Sequence, residues 1–305
     1  MTRATFSTIT SVHKVLFIAN PVAGGKNKVW IVSQIERYLD PSLFEWSVEY
    51  TKAKGDATVL AKETDAGIVV AIGGDGTVDE VAKGIIGTDK ILGIIPCGSG
   101  DGLALHLHIS RNIKKAIFNL NEFFVTPIDY ATINGEPFFC TCGVGFDAAV
   151  SWKFAQAGKR GFKTYIEESI KTWFKFKAQE YILEMDNCTI RINALLVTVG
   201  NANQWGNETL ITPYASIRDG LLDVTVLEPF TITEAPLIGA QLLDGHLDKN
   251  PRAKCFKCRS ITIKRQDEGE AHYDGEAVRL GKEIEIKIVP GAIRTIVPQK
   301  SAYKI

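Results

Sequence analysis

The chain has no charge of one sign to spare: in 305 residues, Lys and Arg together number 35, and Asp and Glu together number 35. A protein held to nucleic acid mainly through phosphate contacts carries a basic excess, so this balance argues against a nucleic-acid partner. Long apolar runs are missing as well. No stretch approaches the ~20 apolar residues of a membrane-spanning helix. The first residues, MTRATFSTIT, lack an apolar segment followed by a small-residue cleavage site, so a cytoplasmic location is expected. The six cysteines are scattered. Only Cys140 with Cys142 and Cys255 with Cys258 stand close, and the nearest histidine to the second pair is the isolated His272. This falls short of zinc-ligand spacing and points to reduced thiols. The sequence contains neither GxxxxGK followed by Ser or Thr nor a strand-linked GxGxxG, which disfavours a P-loop NTPase or a Rossmann dehydrogenase. Internal repeats and low-complexity tracts are also missing.

What is present is the composition of an ordinary globular protein, 45% hydrophobic and 23% charged, long enough for one large or two medium domains. Over the first 120 or so residues short apolar runs alternate with amphipathic ones, the pattern of a parallel sheet flanked by helices. Strands are predicted at 15–20, 44–50, 68–72 and 91–95, and helices at 27–39, 56–64 and 77–87. After about residue 125 the texture changes to strands and hairpins, with turns at Asn134-Gly135 and Asp186-Asn187 and an alternating strand at 283–289. Two helical inserts interrupt it, at 152–177 and 233–243.

Three loops of the first part follow strands and are rich in glycine: Asn20-Pro21-Val22-Ala23-Gly24-Gly25, Gly73-Gly74-Asp75-Gly76-Thr77 and Cys97-Gly98-Ser99-Gly100. Glycines let backbone N–H groups approach phosphate oxygens, and a following helix N-terminus adds partial positive charge. Three such loops at the carboxyl ends of successive strands mark a polyphosphate site. Asp75 then sits among phosphates. A carboxylate there makes physical sense if Mg²⁺ lies between it and the anion, or if it takes the proton of an acceptor alcohol. Capping a helix that begins at Thr77 is the alternative role. Asp274-Gly275-Glu276 can also be read as a bare hairpin turn.

NPVAGGK at 20–26, GGDGTVDEVAKGI at 73–85, PCGSGDGLA at 96–104, RDGLLDV at 218–224 and DGE at 274–276 follow one another along the chain. In these motifs, over about its whole length, the chain resembles the diacylglycerol kinase catalytic-domain superfamily, which includes bacterial soluble diacylglycerol kinases, sphingosine kinases and ceramide kinases. GGDGT alone is shared with NAD kinases and phosphofructokinases. Pattern and resemblance together imply a nucleotide-binding α/β domain (1–127, joined by 291–305) and a β-rich, β-sandwich-like lipid-substrate domain (128–290), with the active site between them. The resemblance implies that Asn20, Pro21, Val22, Ala23 and Gly24, Gly73 to Thr77, and Glu80 hold the nucleotide phosphates. Thr51 and Ser99, beside Gly98, would donate hydroxyls. Glu276 matches the residue regarded as the general base in bacterial members, whereas sphingosine kinases give that role to the position of Asp75; both stand as catalytic candidates. Ser216, Asp219 and Leu221 match a Mg²⁺ site remote from the nucleotide, which an Asp-Gly turn explains equally well.

The departures concern the acceptor. Bacterial diacylglycerol kinases usually read GTGNDFAR at the third loop, whereas this chain reads GSGDGLAL, closer to the GSGNALA of sphingosine kinases. Asp101 replaces the usual Asn and suits an amine-bearing lipid. Asp147, in GVGFDAAV, falls near the position where sphingosine kinases set an acid against the substrate amine, or is a structural Asp. A membrane surface is a further expected partner. Within 152–177, Lys153, Lys159, Arg160, Lys163, Lys171, Lys175 and Lys177 outnumber Glu167 and Glu168, and Tyr165, Ile166, Ser169, Ile170, Trp173 and Phe174 form one helical stripe. Basic residues beside bulky aromatics suit anionic lipid; a core helix with a solvated lysine face is the alternative. The expectation is an ATP- and Mg²⁺-dependent lipid kinase, cytoplasmic and peripherally associated with the membrane, with a homodimer left open. The alternatives are a kinase of a soluble alcohol such as NAD, and a non-catalytic lipid- or nucleotide-binding module. The lipid itself stays open among diacylglycerol, a sphingoid base and ceramide.

Overall fold

The computed structural model describes residues 12–25, 27–156, 169, 171–173, 175–206, 208–302 and 305. Four parallel strands open the chain: β1 (His13–Ala19), β2 (Phe44–Tyr50), β3 (Ile68–Gly73) and β4 (Ile91–Pro96). They lie in the order β2-β1-β3-β4. Every residue of β3 and β4 is buried, because helices cover both faces of a parallel sheet, and this explains their unbroken apolar runs. The helices are α1 (Lys28–Tyr38), α2 (Asp56–Glu63), α3 (Asp75–Ile85), the short α4 (Gly102–His106) and α5 (Ile113–Glu122). Asn27 caps α1 by accepting N–H groups of Val29 and Trp30, and Asn112 caps α5 through the N–H of Lys115.

The remaining strands are β5 (Val125–Ile133), β6 (Glu136–Phe138), β7 (Thr141–Gly145), β8 (Gln179–Met185), β9 (Cys188–Ala194), β10 (Leu196–Gly200), β11 (Gln204–Gly206), β12 (Thr209–Leu210), β13 (Leu222–Leu227), β14 (Ala253–Cys258), β15 (Ser260–Arg265), β16 (Gly269–Tyr273), β17 (Glu276–Leu280) and β18 (Glu283–Ile296). Among the described residues, α6 (Phe146–Gln156) and α7 (Ala235–Asp244) are helices of this part, and residues 169 and 171–173 are helical as well. A six-stranded sheet, β14-β13-β10-β7-β16-β17, packs against the part of the large sheet formed by β5, β18, β15, β8 and β9. Val144, Val197 and Val224 from one side meet Leu183, Ile261, Ile263 and Ile286 from the other, a sandwich core separate from that of the first domain.

The two domains share one sheet. β18 pairs with β15 through its first half and runs parallel to β4 at Arg294 and Thr295, so β2-β1-β3-β4 continues directly into the sandwich. β5 pairs antiparallel with β18 on both sides of a register break between Val289 and Ile293. Asp129 fills that break: its carboxylate accepts the N–H of Gly291 at 2.6 Å and of Gly220 at 2.8 Å.

Three expectations shift. The third helix begins at Asp75 rather than Thr77, with Gly74 at the cap and no side chain capping it. The insert expected at 152–177 starts earlier, as α6 from Phe146, and residues 157–168, 170 and 174 lie outside the described residues. Of its aromatic residues, Trp173 lies 4.4 Å from the Phe230 ring centroid and edge-on to Phe146, while Phe176 also meets Phe146. These rings pack on the protein. The strand read at 283–289 continues through Pro290 to Ile296.

Candidate active site

The glycine loops sit at the carboxyl ends of β1, β3 and β4, and the second and third are clasped together. A Cβ on Gly98 would come 2.6 Å from Gly74 Cα, so glycine is needed where the two backbones touch. Asp75 closes the clasp. Its carboxylate accepts the Asp101 N–H at 2.9 Å and the Gly102 N–H at 2.6 Å, joining the head of α3 to the third loop. Asp101, in a left-handed conformation at φ 51°, returns its own carboxylate to the Gly98 N–H and to Arg111. A Cβ on Gly73 would strike Thr77 Oγ1 at 2.3 Å, so this glycine lets the first turn of α3 fold tightly over the strand end. The first loop holds its own turn, with Asn20 Oδ1 accepting the Val22 N–H, Ala23–Gly25 forming a 3-10 turn, and Pro21 and Val22 exposed. Buried Thr51 sits beside that turn, its N–H on Ala19 O.

The opposing wall comes from the sandwich. Asp274 at φ 45° and Gly275 at φ 78° form the two-residue turn between β16 and β17, a geometry that favours Asp-Gly. The Asp274 carboxylate accepts N–H groups of Phe139 (2.6 Å), Cys140 (2.8 Å) and Thr141 (3.1 Å). It faces Asp79 of α3, which is buried and ion-paired to Lys83 at 2.7 Å. Burial, with the Asp274 charge adding to it and Lys83 opposing, pushes the Asp79 carboxyl up to about 7. Burial also raises Asp274 against its three N–H donors. Asp75, Val78, Asp79, Leu103, Phe139, Cys140, Gln204, Trp205, Asp274 and Gly275 line one cavity of about 110 Å³ between the domains. Glu276, next in the turn, carries its carboxylate across to Lys54 Nζ at 2.5 Å.

Other predicted residues lie apart from this cavity. Glu80 accepts N–H groups of Gly55 and Ala57 at the start of α2, and Asp147 is buried against Thr198 Oγ1 (2.8 Å) and His272 Nε2 (2.9 Å). At the remote site, Asp219 accepts the Leu221 N–H and pairs with Lys257 Nζ at 3.0 Å; Lys257 lies equally close to Asp223, and the Ser216 hydroxyl donates to Ile305 O. A lysine ammonium thus bridges the two carboxylates at this site. For Mg²⁺ at the nucleotide the residues do fit. Asp79 Oδ1 is buried without a partner beside Asp75, and Mg²⁺ is held by one or two carboxylates together with substrate phosphates. The sequence reading passed over Asp79, Lys83, Gln204 and Trp205. For Asp79 the signal was a second acid one turn after Asp75 on the same helix; for Gln204 and Trp205 there was none.

Clasped glycine loops facing a β-sandwich-like domain across an acidic cavity define a nucleotide-binding fold of the NAD kinase and diacylglycerol kinase type. The sequence matches the Diacylglycerol kinase catalytic domain over residues 14–133 and the YegS C-terminal NAD kinase beta sandwich-like domain over 140–297. The chain belongs to the diacylglycerol kinase-like lipid kinase family. It is 26% identical to a diacylglycerol kinase of Bacillus subtilis over 267 residues, covering 85% of this chain and 88% of that one. A crystal structure of a diacylglycerol kinase from Bacillus anthracis superposes with a TM-score of 0.74 at 24% identity, over 94% of this chain and 98% of that one. An NAD kinase from Archaeoglobus fulgidus in complex with ATP gives a TM-score of 0.55 at 14% identity, over 95% and 96%. At these identities the two structures attest the fold. No helix among the described residues is long and apolar enough to cross a membrane.

Proposed function

We propose that the chain is a Mg-ATP-dependent kinase that transfers the γ-phosphoryl group to the hydroxyl of a membrane lipid. The observation that supports this best is the shared cavity, in which Asp75 of the phosphate-loop clasp faces the Asp274-Gly275 turn of the other domain. Asn20 to Gly24, Thr51, Gly73 to Thr77, Gly98 and Ser99 would cradle the nucleotide phosphates with backbone N–H groups and hydroxyls. Mg²⁺, when bound, would neutralise charge developing on the phosphoryl oxygens. The acceptor hydroxyl would enter from the cavity, whose apolar wall of Val78, Leu103 and Phe139 excludes water.

Deprotonation falls to a carboxylate. Asp75 holds both oxygens on backbone N–H groups, and Glu276 is paired with Lys54. These two stand as the candidate bases, since Asp79 is the carboxylate that would hold the metal. Glu80, Asp101 and Asp147 take structural roles on this reading, each carboxylate being held within its own surroundings. The deciding assay is Mg-ATP-dependent phosphorylation of mixed micelles carrying diacylglycerol, a sphingoid base or ceramide, with NAD as a soluble control. Turnover of a lipid is expected; turnover of NAD alone would overturn the assignment.

A further inference from the structure

Besides Asp79, two residues that line the cavity each bury one polar atom without a partner in the protein. Gln204 is buried at 8% exposure with Oε1 unpartnered, and the half-buried Trp205 has its indole Nε1 unpartnered. Such atoms forgo the hydrogen bond they would make to water unless a ligand supplies the missing group. Neighbouring residues of a regular strand point to opposite faces. Here the β11-β12 register breaks between Gln204 and Gly206, setting three residues of β11 against two of β12, and such a bulge re-aims a side chain. Both residues consequently line the same cavity. The segment is fixed from the nucleotide side, since Asn203 bonds to His106 of α4 at 2.8 Å, and α4 grows directly out of the third glycine loop.

We propose that Gln204 and Trp205 read a second hydroxyl on the acceptor, close in the molecule to the one phosphorylated. Gln204 Oε1 requires a donor and Trp205 Nε1 requires an acceptor. One hydroxyl answers both; an ester carbonyl satisfies only the indole, and an ammonium only the amide. The preferred acceptor class is therefore a lipid with a free diol, and a diester of glycerol, which keeps one hydroxyl, leaves the amide unpaired. The inference rests on the lipid-kinase reading above and specifies its substrate.

The test compares two acceptors in micelles, the glycerol monoester of a long-chain acid and the propanediol monoester of the same acid, which differs by one hydroxyl, with the glycerol diester as reference. The intact enzyme is expected to favour the glycerol monoester by ~10-fold or more in kcat/KM. Gln204→Met, which keeps the length of the side chain, and Trp205→Phe, which keeps an aromatic ring without the N–H, are each expected to bring that ratio toward unity while KM for ATP holds. Equal rates on the two monoesters, a ratio unmoved by both substitutions, or turnover of the diester alone would overturn the inference and leave the lipid-kinase reading standing. No turnover of any lipid would overturn both.

Discussion

Asp79 offers the most direct handle on the cavity, through Asp79→Asn. Its carboxyl stands at about 7 against an ordinary 3.8, so the folded protein binds this proton more tightly than the unfolded chain does. For a raised acid the linkage runs toward loss: stability is unaffected below pH 4 and falls as pH climbs toward 7, because the unfolded chain there gives up a proton that the folded state keeps, and the loss levels off once the folded group ionises. The gap of roughly 3 pH units, at ~1.4 kcal/mol per unit, sets an upper limit of about 4 kcal/mol. Asparagine stands in for the protonated acid, so the variant escapes this loss. Unfolding of both proteins from pH 4 to pH 8, without Mg²⁺, should show equal stability at the acid end and a variant more stable by about 2–4 kcal/mol at the alkaline end. In a chain of this size that corresponds to several degrees of melting temperature. Parallel pH profiles would refute the argument, showing that Lys83 at 2.7 Å compensates the charge in full.

Gly98→Ala should pry the loop clasp apart, because the new Cβ meets Gly74 Cα at 2.6 Å and Asp101 Oδ1 at 2.7 Å. Nucleotide affinity measured by calorimetry is expected to fall by tenfold or more while the sandwich stays folded, ~1–3 kcal/mol of overpacking being absorbed at the loop; unchanged affinity would count against the clasp. At the remote acidic pair, chelator should leave the melting temperature of the intact protein unchanged. Lys257→Met should lower it by roughly 1 kcal/mol of stability and make it rise on adding Mg²⁺, since Asp219 and Asp223 then lack their cation. A chelator-sensitive parent protein would show that the lysine does not do the ion's work.

Strands 68–72 and 91–95 were legible because burial on both faces leaves an unbroken apolar run, and the loops after them because tight turns over phosphate require glycine. For Asp75 the sequence offered a place among phosphates and, as the alternative, a helix cap; its partners in the protein, the N–H groups of Asp101 and Gly102, belong to the next loop, beyond the reach of local pattern. Asp79 was hidden in plain helical periodicity. Nothing in its own helix marks it as buried; the lid over it, Asp274 and Phe139, comes from the other domain. Asp101 and Asp147, whose motif positions suggest a substrate, have partners that the sequence does not announce: Arg111 for the first, Thr198 and His272 for the second. Pro290-Gly291 reads as a strand terminator, and only the pairing with β5 reveals that β18 passes through it.

That passage has a mechanical consequence. The outgoing strand, β5, and the returning strand, β18, lie hydrogen-bonded side by side, so the crossing between the domains is a ribbon rather than a tether. A ribbon yields to bending across its width and resists twist and sliding, and its weakest point is the break clamped by Asp129. Opening would then follow a single arc, with the Asp274 turn swinging toward and away from the phosphate loops like one blade of a pair of tongs. The two reactants would meet at a fixed angle on every closure, and orientation would be built into the backbone before either is bound.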